Sequence, residues 1–201
     1  MEKTNLTIGE PITRILNAPR EKIRKIWTDP EYIKQWWGPK DFTAPYISID
    51  LSEGGKFLYA MRGAGFDGKV KDWWKAGTHL EIVPMEKIVA KMSFSDDKGN
   101  PVPASYYEMP GNWPMETMLT VTFEDAEEDK TKVTLREDGI PSEMAEPSWQ
   151  GWQQQLNKID EILRSVDLGS GCSFNFLHSL QSILSVWNPR LESSTLDNFL
   201  S

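Results

Sequence analysis

Two histidines, His79 and His178, and one cysteine, Cys172, are all that 201 residues offer in imidazole and thiol chemistry. Neither histidine falls in an H-x-x-x-H or H-E-x-x-H spacing and no C-x-x-C occurs, so the ligand sets that hold zinc are missing and no metal is expected. A Ser-His-Asp hydrolase lacks its G-x-S-x-G elbow. Gly54-Gly55 and Gly63-Ala64-Gly65 have no following helix and no Gly-Lys-Ser/Thr, so they read as hairpin turns rather than phosphate loops. No catalytic residue and no cofactor is assigned. His79 belongs to a predicted strand, Thr78 to Val83. With Leu80 and Ile82 turned inward, the reading that alternation favours, it faces solvent or a neighbouring strand. Turned inward it would orient a ligand's carbonyl or hydroxyl, or move a proton, and it is kept as a candidate on that ground.

The other chemistry is aromatic. Nine tryptophans include the pairs Trp36-Trp37 and Trp73-Trp74 and the W-Q-G-W of Trp149 to Trp152. Adjacent helix positions point about 100° apart, so Trp36 and Trp37 cannot share one packing stripe. One ring is expected to anchor a short helix and the other to face an opening. Trp27, Trp149 and Trp152 have the spacing that packing onto a sheet demands. Trp36, Trp37, Phe42, Phe57, Tyr59, Met92, Phe94 and Trp152 are candidates for the mouth and wall of a pocket, and Trp149 is counted with them. Buried indoles need an acceptor for their N–H, which a ligand or water in a pocket supplies. Gly151 either lets a strand approach or keeps space open.

The elements that must position these side chains are legible from periodicity. Ile12 to Leu16 is a plausible strand, and Pro19 to Trp27 an amphipathic helix with Ile23, Ile26 and Trp27 on one face. Asp29-Pro30-Glu31 supplies an N-cap, a first-turn proline and an acid for a second helix that Gly38-Pro39 ends. Period-two alternation follows through Ile47, Ile49 and Leu51, then Phe57, Tyr59 and Met61. Asp67-Gly68 marks a turn, with strands near Lys69 to Trp73 and Thr78 to Val83. Ile88 to Phe94, Met118 to Phe123 and Lys132 to Arg136 complete the run. The acidic stretch Glu124 to Asp129 reads as a solvated hairpin tip. A last helix spans about Pro147 to Arg164, striped by Trp149, Trp152, Leu156, Ile159 and Leu163. The plan is α+β, a curved antiparallel sheet wrapped around a long C-terminal helix, a pairing that often leaves unfilled space.

A formal net charge of −8 argues against nucleic acid, whose binding rests on Lys and Arg neutralising phosphates. No run approaches the roughly 18 apolar residues of a membrane span, and no apolar segment follows the first residues, so neither membrane nor secretion is expected. One cysteine fits a reducing, cytoplasmic setting.

The ordered pieces A-P-R-E-K-I-R-K-I-W-T-D-P-E, W-W-G-P, D-L-S-E-G-G-K-F, G-T-H-L-E-I-V-P, the T-V-T-F-E and K-T-K-V-T-L hairpin, and G-W-Q-Q-Q-L-N-K-I resemble the AHSA1-like proteins. These are relatives of the Hsp90-ATPase activator's C-terminal domain within the START and Bet v 1-like superfamily, and the resemblance covers about Pro11 to Leu163. It implies a helix-grip fold, with six or seven antiparallel strands gripping the long helix, two short helices closing one end, and a cavity between. Many superfamily members bind lipophilic small molecules there, and some are cyclases or other enzymes. The chain departs from its relatives at Tyr106, where a histidine is expected, so a role for an imidazole in that loop is not carried over.

Residues 1–165 therefore form the expected domain. Residues 166–201 read as a linker, Val166 to Gly171, and a tail with one amphipathic helix from Phe176 to Trp187. That helix is either an extraneous extension, a plug for the pocket, or a surface that docks on its own domain or on a second copy in a homodimer. The expected function is non-enzymatic binding of a small hydrophobic or aromatic molecule. Its rivals are a cyclase- or hydratase-like enzyme and an Hsp90-type chaperone partner. With only about ten residues before the first strand, where the activator carries a whole further domain, the chaperone reading is disfavoured.

Overall fold

The computed structural model describes residues 6–8, 10–65 and 68–170, with side chains from residue 10 to 165. The tail helix and Asp67 of the expected turn lie outside them. The chain divides into two units between Leu163 and Arg164. In chain order the elements are β1 (Leu6–Ile8), β2 (Ile12–Leu16), α1 (Arg20–Thr28), α2 (Pro30–Trp36), β3 (Thr43–Ile49), β4 (Lys56–Ala64), β5 (Val70–Val83), β6 (Lys87–Ser95), a 3-10 turn (Ala104–Tyr107), β7 (Thr117–Ala126), β8 (Lys130–Pro141) and α3 (Ser142–Ser170). The sheet is antiparallel in the order β1-β8-β7-β6-β5-β4-β3, and β2 shares the outer edge of β8 with β1.

Both short helices form where local chemistry dictates. α1 buries Ile23, Ile26 and Trp27, and Asp29, the residue after it, accepts the Glu31 N–H at 2.9 Å to cap α2. Gly38, at φ +95, ends α2 in a left-handed turn where an added Cβ would come within 3.0 Å of the Phe42 Cβ. The main core cluster joins α1, α2, the inner face of the sheet and the stripe Trp152, Leu156, Ile159, Ile162 and Leu163, and a second packs Trp73 and Phe94 against Ala104 and Tyr107. Trp149, expected at the head of that stripe, is 42% exposed, so the packed face begins one turn later.

Four further expectations change. The two strands read on either side of Gly77 are one strand of 14 residues. Gly77 does not break it; it clears space for the Phe57 ring, whose Cζ would lie 2.2 Å from an added Cβ. Gly63 is likewise inside β4 rather than in a turn, and the Phe42 ring lies over it. α3 starts at Ser142, five residues before the expected Pro147, which lies inside the helix and lacks the N–H that would bond the Glu143 carbonyl. The backbone of 166–170 continues this helix where composition suggests a linker.

Two sets of polar side chains fix α3 in place. Arg14 of β2 donates to Gln153, Asn157 and Asp160. One helical face over, Gln154 and Gln155 accept the Lys40 and Gly38 N–H groups, and Lys158 donates to the Gly38 and Phe42 carbonyls, each at 2.8 Å. Burial lowers the Lys158 pKa, which is the mark of an ammonium group withdrawn from water.

Gly77→Ala is expected to cost at least about 2 kcal/mol, since the new methyl meets both the Phe57 ring and the Lys91 carbonyl, and urea unfolding should show it as a lower midpoint. A midpoint within error of the wild type would contradict the close approach.

Candidate functional site

Between the sheet and the first half of α3 lies a cavity of about 350 Å³. Period two puts Trp73 and Lys75 of β5 on the same face, and antiparallel pairing sets Phe94 of β6 opposite Lys75 and Met61 of β4 opposite Trp73. Met92 and Glu137 complete the sheet wall. α3 contributes Pro147, Ser148, Gly151, Trp152 and Gln155, while Trp37, Pro39 and Phe42 close one side and Met109 and Trp113 another. Gly151 keeps this space open: a Cβ there would touch only the Pro39 Cγ, at 3.8 Å.

One charged pair stands in this apolar wall. Glu137 and Lys75 side chains are 8% and 16% exposed, and Lys75 Nζ is 3.6 Å from Glu137 Oε1. The Trp152 indole N–H donates to Glu137 Oε2 at 2.8 Å, and the Thr117 hydroxyl to Oε1 at 3.2 Å. The ammonium also sits 4.8 Å from the Phe94 ring centroid. Each charge compensates the other, without which either would carry a penalty of several kcal/mol. Reading from residue types missed both groups. The signal was alternation: Val133, Leu135 and Glu137 share one face of β8, so extending the strand by one step turns Glu137 inward.

The candidate residues divide into three groups. Trp37, Phe42, Met92, Phe94 and Trp152 line the cavity. Trp36, Phe57, Tyr59 and His79 do not; together with Trp37 and Met92 they surround a separate interior space of only about 40 Å³ left between their side chains. Trp149 borders an outer groove beside β8 that shares Glu137, Ser148 and Trp152 with the cavity. The adjacent tryptophans thus part: Trp36 donates its N–H to the Ile26 carbonyl at 2.9 Å and packs on Trp27, while Trp37 reaches the cavity. The indole N–H groups of Trp37 and Trp73 are buried without an acceptor.

His79 corrects the alternation argument. A bulge between His79 and Glu81 slips the register of β5, leaving Leu80 45% exposed and His79 4% exposed. Its Nδ1 lies 3.0 Å from the Asp50 carbonyl, which can only accept, so Nδ1 carries the proton. The ring packs against Phe57, while the His79 backbone ties β5 to the Gly54-Gly55 turn, its carbonyl accepting the Gly54 N–H and its N–H donating to the Gly55 carbonyl. Burial is the first cause that lowers its pKa. In the 3-10 turn, Tyr106 is exposed and Tyr107 buried, its hydroxyl donating to the Ser95 carbonyl and accepting the Trp74 N–H. Among the described residues no group of three His, Cys, Asp or Glu side chains could hold a metal ion, and no helix is long and apolar enough to cross a membrane.

A curled antiparallel sheet gripping a C-terminal helix, with two short helices at one end and a cavity inside, defines a helix-grip α+β protein. The chain belongs to the Activator of Hsp90 ATPase homolog 1-like family, which it matches over residues 17–164. Among solved structures it is similar to a protein of Chromobacterium violaceum, with 23% identity and a TM-score of 0.60 over 76% of this chain and 94% of that one. A protein of Arthrobacter aurescens gives 24% identity and 0.60 over 81% and 93%. The AHSA1 protein from Silicibacter pomeroyi gives 18% and 0.58 over 77% and 96%. No curated protein matches the chain.

Because His79 is held neutral in the fold, its stabilising effect is present above its ordinary pKa of about 6.5 and lost as pH falls below it, where the unfolded chain takes up the proton first. Melting temperature should drop between pH 7.5 and 5.5, and His79→Gln should drop less over the same interval. Equal slopes would remove His79 as a source of the acid sensitivity.

Proposed function

We propose that this protein is a binding protein, not an enzyme, and that it holds a small, largely apolar or aromatic molecule in the cavity between the sheet and α3. The observation that carries this reading is the wall itself: flat indole and phenyl faces and four thioethers around 350 Å³, with Lys75, Glu137, Ser148 and Gln155 as its polar side chains. Binding is driven by removing the ligand's apolar surface from water, and the few polar groups set its orientation. His79, one of the groups on which a proton-transfer reading would rest, is outside the cavity and its Nδ1 is committed to the Asp50 carbonyl. A lone cysteine supports a cytoplasmic setting for this activity.

Native mass spectrometry of the freshly purified protein, compared with the denatured sample, should show an excess mass that denaturation releases. Gly151→Leu tests the location. A leucine side chain projects into the cavity and replaces a residue that disfavours helix by roughly 1 kcal/mol, so the excess mass should vanish with no loss of melting temperature. Retention of the ligand in that variant would place binding elsewhere.

Trp36 and Trp37 separate stability from binding. Trp36→Phe should lower the melting temperature, leaving the Ile26 carbonyl without its donor, and retain ligand; Trp37→Ala should lose it. If the two variants lost equal stability and both kept the ligand, the division of labour between these rings would be wrong.

A further inference from the structure

We infer that the ligand is an uncharged aromatic molecule bearing a hydrogen-bond acceptor, a ketone, aldehyde or ester carbonyl above all, which Lys75 anchors from the cavity wall. This rests on the cavity being a binding site and specifies what it selects.

The argument is an inventory of donors and acceptors. Lys75 Nζ has three N–H bonds to place. Its contacts are Glu137 Oε1 at 3.6 Å, beyond hydrogen-bond reach, and the Phe94 ring. Glu137 is already served, one oxygen by Trp152 and the other by Thr117. Gln155 has its carbonyl oxygen on the Gly38 N–H and its amide nitrogen 3.4 Å from the Gly151 carbonyl. The Ser148 hydroxyl in the wall can donate or accept. The group left with N–H bonds to place is therefore the Lys75 ammonium, and its complement is a molecule that accepts.

Charge narrows the class. Lys75 and Glu137 sum to zero, so a carboxylate ligand would add an uncompensated negative charge among indoles and thioethers, beside a glutamate, in a chain of net charge −8. A cation has no free carboxylate to meet. A neutral carbonyl takes an N–H bond from Lys75 and leaves the balance unchanged. Trp73 and Phe94 flank that ammonium on the same sheet face, so a planar ring system attached to the carbonyl lies against aromatic surface.

Three probes of matched size separate the possibilities: 2-acetylnaphthalene, 2-ethylnaphthalene and 2-naphthoate, with dissociation constants from ligand-observed NMR. On the wild-type protein the ketone should bind about tenfold tighter than the hydrocarbon, the yield of one hydrogen bond to a charged donor, and tighter than the carboxylate. In Lys75→Met/Glu137→Gln, which removes both charges and keeps an acceptor for Trp152, the ratio of ketone to hydrocarbon affinity should fall to about one. Naphthoate as the tightest probe would overturn the neutral class, and equal affinities for ketone and hydrocarbon would overturn the acceptor site. A ketone advantage that survives in the double variant would overturn Lys75 as the anchor. In the last three cases the hydrocarbon still binds and the cavity reading stands, whereas failure of all three probes would remove that reading and this inference together. The wild-type ranking decides the ligand class even if the double variant does not fold.

Discussion

Everything about this site depends on how α3 is held: pressed onto the sheet along one half and kept off it along the other. Leu156, Ile159 and Leu163 are at most 2% exposed, and burial of side chains of this size is worth roughly 1.5–3 kcal/mol each. Apolar packing alone would draw the whole helix down. The Gln154, Gln155 and Lys158 side chains instead bind the backbone of the turn after α2, and Arg14 grips the neighbouring face from β2. These bonds set the helix's position by direction as well as by attraction. With the second half fixed, Gly151 and the turn before it stand over the sheet at a distance that their own side chains do not fill.

The Glu137–Lys75 pair works within that constraint. Its two charges are expensive in an apolar wall, and a hydrophobic pair of like volume would often be neutral or stabilising. What the pair supplies is geometry. Glu137 fixes the Trp152 ring through its indole N–H, and Trp152 is the point where core, cavity and outer groove meet. Losing the carboxylate would leave Lys75 uncompensated and Trp152 free to turn, so the pair acts as one unit with the ring it positions.

The fold was legible because its signals are local. Asp29-Pro30, the W-W-G-P stop, the acidic hairpin tip and the i, i+3, i+7 stripe each follow from residues close in sequence. Where the reading failed, the cause was a partner far along the chain. The strands read as Lys69 to Trp73 and Thr78 to Val83 are one, and Gly77 between them makes room for the ring of Phe57, 20 positions earlier. His79 changes faces because a bulge, set by pairing with β6, slips the alternation by one. The apolar part of the site was half visible, since Trp37, Phe42, Met92, Phe94 and Trp152 do line the cavity, whereas Trp36, Phe57 and Tyr59 belong to packed core. Composition counts rings without saying which side of a wall each occupies.

That wall is itself made of shared rings. Trp27 stacks near Trp152 at 6.5 Å, Trp152 meets Trp37 edge-on at 6.0 Å, and Trp37 meets Tyr59 at 5.0 Å. Trp37 and Trp152 thus turn one side to the core and another to the cavity, and each is no more than 6% exposed. A molecule placed against their free faces extends the same aromatic cluster that fixes α2 to α3. Occupancy and stability are linked through those two side chains, because whatever rigidifies them for the ligand also rigidifies the contact on which the grip depends.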